Sequence, residues 1–120
     1  ERVIGCAYPV SNGLGCGFLE KVYENALVHE RRKAGLKVMQ QVRFVVMYDS
    51  VEVGEYIADL VVEGTVLVEL KAVRGLEDIH SAQCLNLLRA TKLPVCLLLN
   101  FAKPKLEIRR LSAPAEWRAP

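Results

Sequence analysis

Asp59, Glu69 and Lys71 are ionisable side chains in a stretch, Ile57 to Lys71, that otherwise reads as two apolar β-strands. An acid or ammonium in such a strand is costly to bury unless it is paired or binds a metal. Glu69 and Lys71 are two residues apart, so in a strand they share one face. Two carboxylates and an ammonium converging on one spot suit the binding of a divalent cation and the positioning of a water beside a phosphate. The same residues also suit a plainer arrangement, a buried Glu–Lys pair with Asp59 near a turn.

The strand connection decides whether the two acids can meet. Glu63-Gly64 marks a turn between Val51–Val62 and a following strand, Thr65 to Ala72. A two-residue loop would set Val62 against Thr65 and Asp59 against Val68, sending Asp59 and Glu69 to opposite faces. A three-residue loop, or one bulge, brings them to the same side. Convergence therefore requires an odd loop or an irregularity in this hairpin.

The other elements follow from periodicity. Val3, Ile4, Ala7, Val10 and Leu14 have helical spacing, while Pro9 and Gly13 argue against one regular helix there. A clearer helix runs from Phe18 to Ala34, with Phe18, Leu19, Val22, Tyr23, Ala26 and Leu27 as its apolar stripe and Gly35 as its stop. Leu36 to Tyr48 reads as a strand, Asp49-Ser50 as a turn, and Gly54 as a bulge or bend in the next strand. A helix is predicted from Glu77 to Thr91, with Ile79, Ala82, Leu85 and Leu88 as its stripe. Val95 to Phe101 is a nearly continuous apolar run, the pattern of a strand covered on both faces. Lys105 to Leu111 alternates as an edge strand, and the tail from Ser112 reads as irregular. The order α-α-βββ-α-ββ predicts an α/β (α+β) fold, a central mixed sheet of about five strands flanked by helices.

Bulk properties exclude more than they assign. The 120 residues suit one domain spanning the chain. A formal charge of +2 is too small to announce a nucleic-acid binder, so any basic surface must come from local clustering. Cys6, Cys16, Cys84 and Cys96 include no C-x-x-C pair and no histidine at zinc spacing. Reduced thiols in a cytoplasmic protein fit better than a disulfide framework. No apolar run approaches the ~20 residues needed to span a bilayer, and no signal peptide is visible.

Further candidates surround the central three. Glu20 lies in the first turn of a predicted helix, where the dipole already favours an acid, and it is also a candidate further carboxylate. Tyr23 follows one turn later, as a packing residue or, with His80, Arg74 and Arg89, a substrate contact. His80 and Gln83 lie on the second clear helix. Arg74 and Arg89, like Arg31-Arg32-Lys33 and Arg109-Arg110, read as solvated charges or as phosphate contacts. Asn100 ends an apolar strand, as a cap or as a support for the site.

Gly17-Phe-Leu-Glu20-Lys-Val-Tyr23 resembles the motif of the GxxExxY proteins, a bacterial and archaeal group of the PD-(D/E)XK nuclease superfamily. Gly54 to Asp59, Val68 to Val73, His80 to Arg89 and Leu98 to Phe101 also resemble that family, in the same order, over nearly the whole chain. The resemblance implies a restriction-endonuclease-like core. It implies Mg²⁺ or Mn²⁺ held by Asp59, Glu69, the backbone carbonyl of Leu70 and Glu20. It further implies Lys71 as the group orienting or activating the attacking water, and Gln83 as an additional site residue. Ser11 stands where a His is frequent, Leu87 where a Tyr is frequent, and Pro9 interrupts the preceding helix; the proposed core groups are intact.

The leading expectation is a metal-dependent phosphodiesterase acting on nucleic acid, DNA above RNA. Hard cations prefer such oxygen donors, and Lys71 would offset charge developing on the phosphate. Sequence-specific cutting would need a homodimer or a partner protein. The alternatives are a non-catalytic nucleic-acid-binding or assembly module that keeps the fold, and an enzyme using Lys71 as a Schiff-base nucleophile.

Overall fold

The computed structural model describes residues 2–118. Two helices, α1 (Arg2–Leu14) and α2 (Glu20–Lys33), precede three strands, β1 (Val38–Tyr48), β2 (Val51–Val62) and β3 (Val66–Lys71). Helix α3 (Asp78–Thr91) leads to β4 (Val95–Asn100) and β5 (Glu107–Ser112), and a 3₁₀ turn covers Ala115–Trp117. The strands form one sheet in the order β1-β2-β3-β4-β5. Only β3 and β4 are parallel, joined by the α3 crossover, so the sheet is mixed as expected. Among the described residues, no helix is long and apolar enough to cross a membrane.

The helices divide between the two faces. One core is built from α1, α2, Leu60, Val62, Val68, Leu70, Leu97 and Leu99. The other combines Cys84, Leu87 and Leu88 of α3 with Ala58, Val61, Leu67, Cys96 and Leu98. β4 contributes to both, which explains its unbroken apolar run: Cys96 to Asn100 are all buried.

Three helical expectations are corrected. α1 is continuous through Pro9 and Gly13. Pro9 and Gly5, one turn before it, lie on the exposed side, so the Gly5 carbonyl deprived of its hydrogen bond is open to solvent. The buried side of α2 is Tyr23, Glu24, Leu27, Val28 and Arg31, leaving Phe18, Leu19 and Val22 exposed. Phe18 and Leu19 precede the helix and follow a glycine loop, so helical spacing does not govern them. On α3 the stripe is Cys84, Leu87 and Leu88, and Ile79 in the first turn is exposed.

The hairpin between β2 and β3 has the odd loop that convergence required. Val62 pairs with Val66 across residues 63–65, with positive φ at Glu63 (53°) and Gly64 (66°). In the β1–β2 hairpin, Val46 pairs with Gly54 and Met47 with Glu52, so a bulge at Val53 adjoins the predicted irregularity at Gly54.

Arg31 is fully buried between α1 and α2. Its Nη2 donates to the Val3 carbonyl at 3.5 Å, while Nε and Nη1 find no partner. Burial pulls its pKa down from the ordinary guanidinium range to about 10. Among the described residues this buried charge has no counterion, a liability that an apolar side chain of similar length removes. Arg31→Met is expected to stabilise the fold by about 1–3 kcal/mol, seen as a higher urea midpoint at unchanged slope. A lower midpoint would show that the guanidinium is compensated.

Candidate active site

The acids are positioned by a fault shared by two neighbouring strands. Leu60 packs in the α1/α2 core and Ala58 in the α3 core, although they are only two residues apart. β2 therefore turns over at Asp59. β1 does the same at Gln41, whose φ is 51°, between Gln40 on the α2 side and Val42 on the α3 side. The β2–β3 ladder runs from Val62↔Val66 to Leu60↔Val68 and stops there.

Beyond that point side chains take the place of backbone carbonyls. The Asp59 N–H donates to Glu69 Oε2 at 2.8 Å, and the Leu70 N–H donates to Asp59 Oδ2 at 2.8 Å. Each carboxylate thus caps the backbone of the other's strand, which fixes both at the mouth of the split. Neither acid nor Lys71 has a salt bridge among the described residues. The plainer Glu69–Lys71 ion pair is not formed.

The split opens into two adjoining clefts. The α2-side cleft, about 600 Å³, is lined by Glu20, Lys21, Glu24, Gln41, Asp59 and Ala72 among others. Glu20 Oε2 accepts from the Ala72 N–H at 3.1 Å, so the helix start is tied to the end of β3. The α3-side cleft, about 280 Å³, holds Glu69, Lys71, His80 and Gln83 beside Tyr56, Cys84 and Leu87. The structure thus groups Asp59 with Glu20, and Glu69 with Lys71 and Gln83, and the two groups abut at the paired amide bonds. Among the described residues, no three acidic, histidine or cysteine side chains close around one point.

Glu24 was not anticipated. It is buried on α2 and held by Lys21 at 3.0 Å, Gln40 at 2.7 Å and Gln41 at 2.9 Å. The signal was present in the four-residue spacing from Glu20, which stacks two acids on one helix face. Burial raises the Asp59 pKa, and Glu24 and Glu20 push it the same way, against the Leu70 N–H and Lys71. Burial, followed by Asp59, raises Glu69 from 4.5 to about 7, and Glu24 adds to this. Four acids (Glu20, Glu24, Asp59 and Glu69) line the two clefts, against Lys71, which forms no salt bridge among the described residues, and Lys21, which is paired with Glu24.

The remaining candidates are spread around this centre. Tyr23 is fully buried and stacked on Phe101 with ring centroids 4.7 Å apart. Its hydroxyl donates to the Gly15 carbonyl (2.7 Å) and accepts from the Phe18 N–H (3.2 Å), so it anchors the loop that delivers Glu20. His80 Nδ1 accepts from the Glu77 N–H at 2.8 Å, capping α3, while its ring lines the Lys71 cleft. Arg74 borders a separate cleft beside His80. Arg89 lies further along α3, over the Trp117 ring at 5.2 Å. Asn100, fully buried, pairs in register with Lys71; its amide clasps Val73 through the N–H (3.1 Å) and the carbonyl (2.9 Å). It is a buttress for the strand end carrying Lys71.

Beside this geometry, the sequence profile of the PD-(D/E)XK nuclease superfamily matches residues 1–111. The chain belongs to the PD-(D/E)XK nuclease superfamily. No curated protein and no solved structure matches it. The five-stranded mixed sheet flanked by helices is the architecture expected of that superfamily. Membership points to nuclease chemistry and to nucleic acid as the class of partner, and such nucleases usually use divalent metals. The donor set accords with this: every candidate ligand is an oxygen, and the half-buried Asp59 and Glu69 carboxylates form no salt bridge among the described residues.

Proposed function

We propose that this protein is a Mg²⁺- or Mn²⁺-dependent nuclease of the GxxExxY group, hydrolysing the phosphodiester backbone of DNA. The observation that carries this reading is the reciprocal capping of Asp59 and Glu69 on each other's strands, with neither acid in a salt bridge among the described residues and Lys71 nearby. Asp59, Glu69, the Leu70 carbonyl and Glu20 are the residues that would hold the ion. When bound, a divalent cation supplies Lewis-acid chemistry, activating a water and drawing charge from the phosphoryl oxygens.

The chain's own residues do the rest. Lys71 places an ammonium where negative charge grows on the phosphate during attack. It lies in the Gln83 cleft, so the Gln83 amide can orient the water or the scissile phosphate by hydrogen bonds. Asn100 and Tyr23 position Lys71 and Glu20 without touching substrate. Attack of water breaks one P–O bond, leaving a phosphomonoester and a hydroxyl end.

The test is incubation of the purified protein with labelled DNA and RNA in Mg²⁺, Mn²⁺ or EDTA. Cleavage of DNA only with metal is expected. No cleavage of either polymer, with Glu69→Ala and Lys71→Ala indistinguishable from the parent, would refute it. A non-catalytic module is the second reading, favoured by the absence of any three closed ligands among the described residues. It predicts nucleic-acid binding that is indifferent to divalent ions.

A further inference from the structure

A groove of about 550 Å³ runs between α3 and the β1–β2 hairpin, with Val46 and Ala90 on its apolar walls and Asn86, Arg89 and Lys92 along one side. Tyr56 lines both this groove and the Glu69–Lys71 cleft, so the two spaces adjoin at one aromatic residue. The hydrogen bonds of Asp59 and Glu69, the Glu20 contact and the α3 cap leave the groove residues unused.

Resting on the nuclease reading, we infer that this groove carries a single strand of nucleic acid into the site, with one base stacked on Tyr56 and the adjacent phosphates on Arg89 and Lys92. The chemistry on each wall is specific to that occupant. Tyr56 is 37% exposed and lines the groove, an aromatic surface that an unpaired base can stack on and a duplex, with its bases stacked on each other, cannot. Arg89 and Lys92 are exposed and form no salt bridge among the described residues, so their charge is available to phosphate. Arg89 also lies over the Trp117 ring at 5.2 Å, a cation–π contact that limits its freedom. Asn86 supplies an amide that reaches base edges.

The opposite face of the same hairpin argues in the same direction. There Arg43 is engaged by Glu52 at 3.0 Å and also by Glu55, a cluster of two acids around one base. Phosphate is repelled from one side of the hairpin and attracted to the other.

The experiment uses the full chain, a fluorescein-labelled 12-nucleotide single strand and the corresponding hairpin duplex, read by anisotropy in EDTA so that nothing is cut. The single strand is expected to bind more tightly than the duplex. Tyr56→Ala should weaken it about tenfold, while Tyr56→Phe, which keeps the ring, should bind like the parent. Arg89→Ala with Lys92→Ala should weaken it and flatten the salt dependence by about two phosphate contacts. Equal binding by all variants, or preference for duplex, overturns the inference. So does a concentration-dependent dimer by sedimentation that Tyr56→Ala abolishes, since the groove would then be a protein interface. Binding in EDTA that follows these predictions, without any cleavage in Mn²⁺, sinks the nuclease reading and leaves the groove. Mn²⁺-dependent cleavage with unchanged KM in Tyr56→Ala does the reverse.

Discussion

Lys71→Met is expected to slow metal-dependent cleavage by about 100- to 1000-fold without weakening the binding of the ion. Lys71 is half-buried at the end of β3, and Met replaces its aliphatic stem with little change in volume. What is removed is an ammonium that stabilises negative charge in the cleft, where it lowers the pKa of both Asp59 and Glu69. Loss of that charge should leave Mn²⁺ affinity unchanged or raised, because a cation no longer faces a cation. Glu69→Gln should produce the opposite split: an equally large loss of rate together with a loss of affinity. Rates measured at saturating and limiting Mn²⁺ distinguish the two. If Lys71→Met cuts at the parent rate, the ammonium has no part in the chemistry.

The second large effect is on stability. In the absence of metal, Glu69 has a folded-state pKa of about 7 against an ordinary 4.5. The folded protein therefore binds this proton more tightly than the unfolded chain, so stability is greatest below about pH 4.5 as far as this group is concerned. It declines as pH rises through the interval up to about 7, and the full deficit is present above it. The interval corresponds to about 3 kcal/mol, or roughly 10 °C in melting temperature. Asp59, also raised, adds to the decline in the same direction. Glu69→Gln can still accept the Asp59 N–H bond and should abolish most of the slope. Mn²⁺ at 100 times its Kd should restore about 2.7 kcal/mol at neutral pH. Melting curves from pH 4.5 to 8 in EDTA check this, and a profile that rises across that range would contradict the placement of Glu69.

Much of the fold was legible because alternation and stop signals agreed. Gly35 ends the α2 region, Asp49-Ser50 turns with positive φ at both residues, and the Val95 run is covered on two faces as its continuity implied. The helix stripes were legible only in part. Helical spacing counts Phe18 and Leu19 as core, but the glycine loop before Glu20 lets the chain enter the helix with both side chains in water. Pro9 was read as a break because its cost depends on which side of the helix it faces, and only packing decides that.

The site was legible as a list of residues but not as an arrangement. Residue types and the resemblance marked Asp59, Glu69, Lys71, Glu20 and Gln83; the loop length that lets the first two meet was left open between two and three residues. The turnover of β1 and β2 at Gln41 and Asp59 had no signal, because a left-handed φ at a glutamine is not written in any periodicity. That turnover is what separates the Asp59–Glu20 cleft from the Glu69–Lys71 cleft. Glu24 escaped notice for a related reason: a glutamate on a helix reads as solvated until two glutamines from the neighbouring strand are found bonded to it.

Calorimetric titration of Mn²⁺ into the purified protein at pH 7, repeated in two buffers of different ionisation enthalpy, bears most directly on the clustering of acids around an ion. The parent should give saturable heat with proton release, since Glu69 is partly protonated there and must give up its proton to bind. Asp59→Asn and Glu69→Gln should each remove most of the heat. A parent that shows no saturable heat, or variants that bind Mn²⁺ as the parent does, would mean that the carboxylates at the strand split are structural caps and nothing more.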